Sequence, residues 1–132
     1  MIYLDANIFI YPITGTGTKS EACIEILDKV FNGEQEAGTS VLTWDEFQYS
    51  LWKTIGKEKA IEESSIFLKS PNLKFFKVDS EIIQKAQKLS EEYNLKPRDA
   101  IHVASMLVNG IKEIISDDLD FDKIKEIKRI SP

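Results

Sequence analysis

Short apolar, strand-like runs alternate with amphipathic stretches of helical length, and this alternation constrains the fold more than any other feature. "IYL" (2–4), "GTSVL" (38–42), "KFFKV" (74–78) and "EII" (113–115) are short and bounded by polar residues, as buried strands are. Cys23, Ile26, Leu27, Val30 and Phe31 recur at helical spacing and predict a helix over 20–31, stopped by Asn32-Gly33. Trp44, Phe47, Leu51 and Ile55 share one side of a helix over 44–55. A third helix covers 58–69, before Pro71, and a fourth covers 80–93, stopped at Asn94. A fifth opens at Pro97, whose fixed φ suits a first helical turn, and ends near Gly110. "IKRI" (127–130) supplies a short fifth strand. Strands alternating with helices imply an α/β fold: a parallel sheet of four to five strands, covered on both faces. The loop "ITGTGTKS" (13–20) reads as flexible, because a phosphate-binding loop needs glycines where this chain has Ile13 and Thr18.

The chain has 132 residues, suited to a single domain over 1–132 with one sizeable core. No apolar run approaches the roughly 20 residues of a membrane span. The N-terminal "MIYLDANIFIYP" lacks a basic region and carries an acid at position 5, unlike a secretory signal. Cys23 is the only cysteine, so an intrachain disulfide is excluded. A soluble, cytoplasmic protein is expected. The net charge of −5 argues mildly against nucleic acid as a partner. Yet Lys53, Lys57 and Lys59 lie close together, and the tail "KIKEIKR" is basic. The bases can therefore lie apart from the acids.

The acids are the pattern that asks for chemistry. "IISDDLDFDKI" carries Asp117, Asp118, Asp120 and Asp122, four like charges in six positions. In an open parallel sheet ligands bind at the carboxyl ends of the strands. Asp5 follows the first strand, and Glu46 lies just beyond the second, in the first turn of the next helix. Asp99 lies in the first turn of the helix opened by Pro97, and Asp118 follows the fourth strand. Each has an ordinary alternative. Asp5 can cap a turn, and "TWDE" from Thr43 to Glu46 matches a capping box. Asp99 can serve the helix dipole, and Asp117 or Asp118 can cap the following turn. Four independent caps, however, need not lie at one end of one sheet. Buried carboxylates without a cation take up protons, whereas a hard divalent ion, Mg²⁺ or Mn²⁺, removes the conflict. Phosphodiester hydrolysis follows, because such ions lower the pKa of a water and stabilise a leaving oxygen. A calcium loop is excluded by Lys123 and Arg129 at its glycine and glutamate positions. Asn7 replaces the second aspartate of a haloacid dehalogenase-type phosphotransferase. One His and one Cys cannot supply a His/Cys zinc site.

Four segments resemble the PIN-domain ribonucleases, especially the VapC-like toxins of prokaryotic toxin–antitoxin pairs. They are "YLDANIF" (3–9), "LTWDEF" (42–47), "PRDAIHVA" (97–104) and "IISDDLDF" (114–121), in the family's order across the whole chain. The resemblance implies a three-layer α/β/α fold and Mg²⁺- or Mn²⁺-dependent cleavage of RNA. It also implies a homodimer and a protein antitoxin as partners. By the same resemblance Asp5, Glu46, Asp99 and Asp118 are the catalytic metal ligands, and Asn7 and Ser116 orient carboxylates. Asp118 gives the best register because Ser116 and Phe121 then match; Asp117 and Asp120 are the alternatives, and Asp45 is a lesser rival to Glu46.

His102 shares a helix face with Asp99. It reads either as a substrate or acid–base group or, more simply, as a residue packed beside the core. Arg98 reads as an RNA phosphate contact or a surface ion pair. Trp44, Tyr49, Trp52 and the "KFF" aromatics read as core or dimer contact. Three alternatives stand beside the toxin reading. One is an RNA-processing nuclease outside a toxin system. Another is a non-catalytic binding module of the same fold. The third is a phosphate receiver, which would need an acceptor aspartate near Asp79.

Overall fold

The computed structural model describes residues 1–132. In chain order it runs β1 (Ile2–Leu4), α1 (Ala6–Thr14), α2 (Thr18–Phe31), β2 (Ala37–Ser40), α3 (Leu42–Ile55) and α4 (Lys57–Leu68). Then follow β3 (Leu73–Phe76), α5 (Ser80–Glu92), α6 (Pro97–Val108), β4 (Glu113–Ile115), a 3-10 turn (Leu119–Lys123) and β5 (Lys128–Ile130). All five strands pair in parallel, in the order β3-β2-β1-β4-β5.

Helices cover both faces of this sheet, and β1 shows how side-chain alternation divides the core. Ile2 and Leu4 pack with Ile8, Phe9, Leu27, Phe47, Leu51 and Phe67, from α1 to α4. Tyr3, on the opposite face, packs with Ile82, Leu89, Val103 and Met106, from α5 and α6. The chain builds outward from β1 to β2 and β3, then returns through α5 and α6 to place β4 on the other side of β1. The strand order therefore reverses between β1 and β4, and ligand clefts open where parallel sheets reverse.

The fold departs from the sequence expectations in four places. Residues 6–14 form α1, where no helix was expected: Ile8, Phe9, Ile10 and Tyr11 favour strands, and Pro12 cannot donate a helical hydrogen bond. Asp5 offsets this by accepting the Ala6 N–H as the N-cap. The flexible loop at 13–20 contracts to Gly15–Gly17, because α2 begins at Thr18. Gly17, at φ 87°, takes the left-handed backbone needed to enter α2. The capping box does not form, since Val41 is the α3 N-cap and Thr43 lies inside the helix, where its hydroxyl meets Thr39. Trp44 leaves the inward face expected for it and is 39% exposed, with Tyr49 and Trp52 also exposed; only Phe47 and Leu51 of that stretch are buried.

Candidate metal centre

Asp5 leaves β1 at the reversal point and is buried. Its Oδ1 accepts from Ala6 N–H at 2.8 Å, and its Oδ2 accepts from Ser116 Oγ at 2.5 Å. Asn7 Nδ2 lies 3.4 Å from the same Oδ2, a long contact. Ser116, just beyond β4, in turn accepts the Asp118 N–H at 3.0 Å. One hydroxyl thus ties the end of β1 to the loop that carries Asp118.

The aspartates of that loop separate into three environments. Asp117 turns to Lys19 at 2.8 Å and accepts from Tyr11 Oη at 2.9 Å. Those two bonds hold its carboxyl below the usual range. Asp122 pairs with Arg129 at 2.9 Å. Asp118 and Asp120 face Asp99, and one carboxylate oxygen from each of the three lies within 4.8 Å of the others, while Asp120 Oδ1 also pairs with Lys123 at 3.2 Å on the surface. Asp118 Oδ1 also accepts the Asp120 N–H at 2.9 Å, capping the 3-10 turn.

Asp99 sits in the first turn of α6, where Pro97 fixes the helix start. Together with Glu46, Lys96, Arg98 and Asp118 it lines an open cleft of about 480 Å³. Burial, followed by the charges of Asp118 and Asp5, pushes the Asp99 carboxyl up to about 6. Burial also raises Asp5, against the opposing influence of His102, Ser116 and Ala6. A cation in the cleft would favour the ionised form of both carboxyls. Buried polar atoms normally find a partner, yet the Oδ1 of Asn7, beside Asp5, has none. An all-oxygen donor set with this surplus of negative charge fits a hard divalent ion.

Glu46 projects from the second turn of α3 and is bonded through Oε1 to His102 Nε2. His102 Nδ1 meets Tyr3 Oη at 2.6 Å, and Tyr3 Oη accepts the Ser40 N–H at 2.9 Å. Burial opposes a charged His102, but the bond to Glu46 and the charges of Glu46, Asp5 and Asp99 outweigh it and raise its pKa.

Residues 2–127 match the family profile described as PIN domain. The chain belongs to the PIN domain family. No curated protein sequence matches it. Its fold is similar to VapBC2 of Rickettsia felis, solved bound to a promoter DNA fragment. That match has TM-score 0.73 and 20% identity and covers 99% of this chain and 98% of that one. It is also similar to VapC20 of Mycobacterium tuberculosis, described as a sarcin-ricin loop cleaving toxin, with TM-score 0.73 and 17% identity over 92% of this chain and 93% of that one. A toxin–antitoxin complex from Klebsiella pneumoniae matches with TM-score 0.69 and 20% identity, over 97% of this chain and 96% of that one. No helix of this PIN domain is long and apolar enough to cross a membrane.

Set against the residues expected from sequence, the PIN domain brings Asp99 and Asp118 together, with Glu46 in the same cleft and Asp5 close enough to act on Asp99 electrostatically. Ser116 and Asn7 both contact Asp5. Of the register alternatives, Asp120 joins the cluster and Asp117 does not, because Lys19 and Tyr11 hold it elsewhere. Asp45 lies outside the cleft lining and pairs with Arg98 at 3.2 Å. His102 as a substrate contact is corrected: it is 0% exposed, enclosed between Tyr3 and Glu46. Tyr3 was missed, since it reads as an apolar strand residue. Its signal was the alternation of β1, which sends position 3 to the opposite face from Ile2 and Leu4.

Proposed function

We propose that this protein is a divalent-metal-dependent endoribonuclease and the toxin of a toxin–antitoxin pair. The observation that carries the reading is the meeting of Asp99, Asp118 and Asp120 within 4.8 Å at the sheet-reversal cleft of a PIN domain. Asp99, Asp118 and Asp120 would hold Mg²⁺ or Mn²⁺, Glu46 would add its free carboxylate oxygen, and Asp5 completes the negative surround. Such an ion, when bound, supplies a water of lowered pKa and neutralises charge developing on phosphodiester oxygens. Ser116 and Asn7 orient Asp5. Lys96 and Arg98 line the cleft and offer positive charge to backbone phosphates, Arg98 in exchange with its surface partner Asp45.

VapC20 is described as a sarcin-ricin loop cleaving toxin, and we take RNA as the substrate class here on that support. The fold relative solved as a toxin–antitoxin complex supports a protein antitoxin as partner; covering the acidic cleft, in the cytoplasm, is the role we assign it. The exposed Val41, Trp44, Tyr49 and Trp52 at and along α3 support a homodimer, which light scattering of the purified protein checks.

The test is cleavage of a mixed single-stranded RNA pool with Mn²⁺ or Mg²⁺, comparing wild type, an EDTA control and Asp99→Asn. Cleavage lost in both controls is expected. Cleavage that survives in Asp99→Asn overturns the carboxylate assignment. Failure to bind millimolar Mn²⁺ favours a non-catalytic binding module. Growth arrest on expression, relieved by a co-expressed partner, is expected of a toxin. Harmless expression of a cleaving enzyme points instead to RNA processing.

A further inference from the structure

Glu46 differs from the other acids of the cleft in how it is held. Its backbone is anchored one turn earlier, where the Thr43 hydroxyl meets Thr39 Oγ at 2.6 Å and Thr39 Oγ donates to the Leu4 carbonyl at 2.8 Å. Leu4 directly precedes Asp5, so the start of α3 is tied to the strand end that carries the first acid. The Glu46 side chain is then fixed through Oε1 by His102, while Oε2 has no protein partner and the residue lines the cleft.

His102 is itself fixed from behind. The Ser40 N–H donates to Tyr3 Oη, so the single phenolic proton of Tyr3 is available for His102 Nδ1. With Nδ1 accepting, Nε2 carries the proton and donates to Glu46; an imidazolium would donate from Nε2 as well. The imidazole lies edge-on to the Tyr3 ring at 5.7 Å between centroids, and Phe76 stacks on that ring at 6.4 Å. A fully buried imidazole with both nitrogens engaged has one orientation. We infer that His102, held by Tyr3, is a positioning residue that locks Glu46 with one carboxylate oxygen free for the cation of the cleft. Neither residue touches substrate. This rests on the metal-nuclease reading for its consequence, but not for its geometry.

The chain has only one histidine, so its side-chain N–H signals need no assignment. In metal-free full-length protein, ¹H–¹⁵N spectra should show a slowly exchanging Nε2–H that shifts or disappears in Glu46→Ala. Absence of that proton in wild type overturns the pairing outright. Mn²⁺ affinity, by calorimetry, tests the consequence. Outer-shell partners of metal ligands are worth about 10–100-fold in affinity, so His102→Asn, which loses reach to Glu46, should fall in that range. His102→Gln retains a donor at the Nε2 position and should bind within about threefold of wild type. Tyr3→Phe keeps the ring packing, frees Nδ1 and should show an intermediate loss; it serves if His102→Asn does not fold. Affinities for Tyr3→Phe and a folded His102→Asn equal to wild type overturn the inference. So does His102→Gln as weak as His102→Asn. A wild type with the protected proton but no Mn²⁺ affinity would instead remove the metal reading and leave the Tyr3–His102–Glu46 lock standing.

Discussion

Asp99→Asn should stabilise the metal-free protein while abolishing its metal-dependent activity. The Asp99 carboxyl is pushed from its ordinary 3.8 to about 6 by burial and by Asp118 and Asp5. Ionising it in the folded chain is therefore harder by about 2 pH units, a ceiling near 3 kcal/mol at 1.36 kcal/mol per unit. The side chain is only partly buried and faces the water of the cleft, so screening reduces this to about 1–2 kcal/mol. Asparagine has the same shape and no charge, and Asp99 forms no protein hydrogen bond that it would break. The sign follows from linkage. Because the folded pKa is the higher one, the cost is absent below about pH 4. It grows as pH rises toward about 6 and is complete above that value. Melting in EDTA at pH 7.5 should place the variant roughly 3–8 °C above wild type, at a few degrees per kcal/mol for a chain of this size. The gap should close near pH 4. Mn²⁺ at about 100-fold over its dissociation constant should reverse the order, adding about 2.7 kcal/mol to wild type alone. A variant melting at or below wild type in EDTA at pH 7.5 would refute the electrostatic argument. A gain that persists unchanged at pH 4 would show that it has another origin.

The register of the acidic loop gives a second prediction. Asp118→Asn should weaken Mn²⁺ binding by at least the roughly 10–100-fold that outer-shell partners cost, whereas Asp117→Asn, paired with Lys19, should leave calorimetric affinity unchanged; equal losses would mean that Asp117 shares the site. Gly38→Ala tests the packing beneath the site. A Cβ there would clash with Phe76 Cε2, lie 2.7 Å from Phe76 Cζ and lie 3.1 Å from the Lys74 carbonyl. Overpacking of this kind costs about 1–3 kcal/mol, and a chemical-denaturation midpoint equal to wild type would contradict the tight fit.

The fold class was legible because the strands and most helices differ in period, and the parallel alternation leaves few topologies. What stayed hidden has identifiable causes. Asp5 shows one: its cap makes a helix of "ANIFIYPIT", whose β-branched and aromatic residues and Pro12 all argue locally against one. Tertiary burial of Ile8 and Phe9 against α3 and α4 overrides that preference. Trp44 shows another. Its spacing matches Phe47 and Leu51, but periodicity does not say where the apolar stripe ends. At the site, Asp5, Glu46, Asp99 and Asp118 could be singled out because each falls near a strand end or helix start. Charge and spacing alone do not separate Asp120 from Asp122, although the resemblance names only Asp120. That distinction is made by Arg129, fourteen residues after Ile115, which returns along β5 to take Asp122 away from the cleft.

Capping and the proposed metal holding need not compete for these acids. A carboxylate has two oxygens. Asp118 Oδ1 caps the 3-10 turn through Asp120 N–H, leaving Oδ2 unbound by protein. Glu46 gives Oε1 to His102 and keeps Oε2. Asp5 caps α1 with Oδ1 and gives Oδ2 to Ser116, which in turn holds the Asp118 backbone. In Asp118 and Glu46 local structure therefore uses one oxygen and in doing so orients the other, whereas Asp5 has both oxygens engaged by the chain. Asp99 is the exception, with no bond to the chain at all. Burial and the neighbouring charges of Asp118 and Asp5 push its carboxyl up to about 6 from an ordinary 3.8. An acid held by no hydrogen bond and disfavoured by burial and its neighbours costs the metal-free fold stability, and the proposed cation of the cleft would offset that cost.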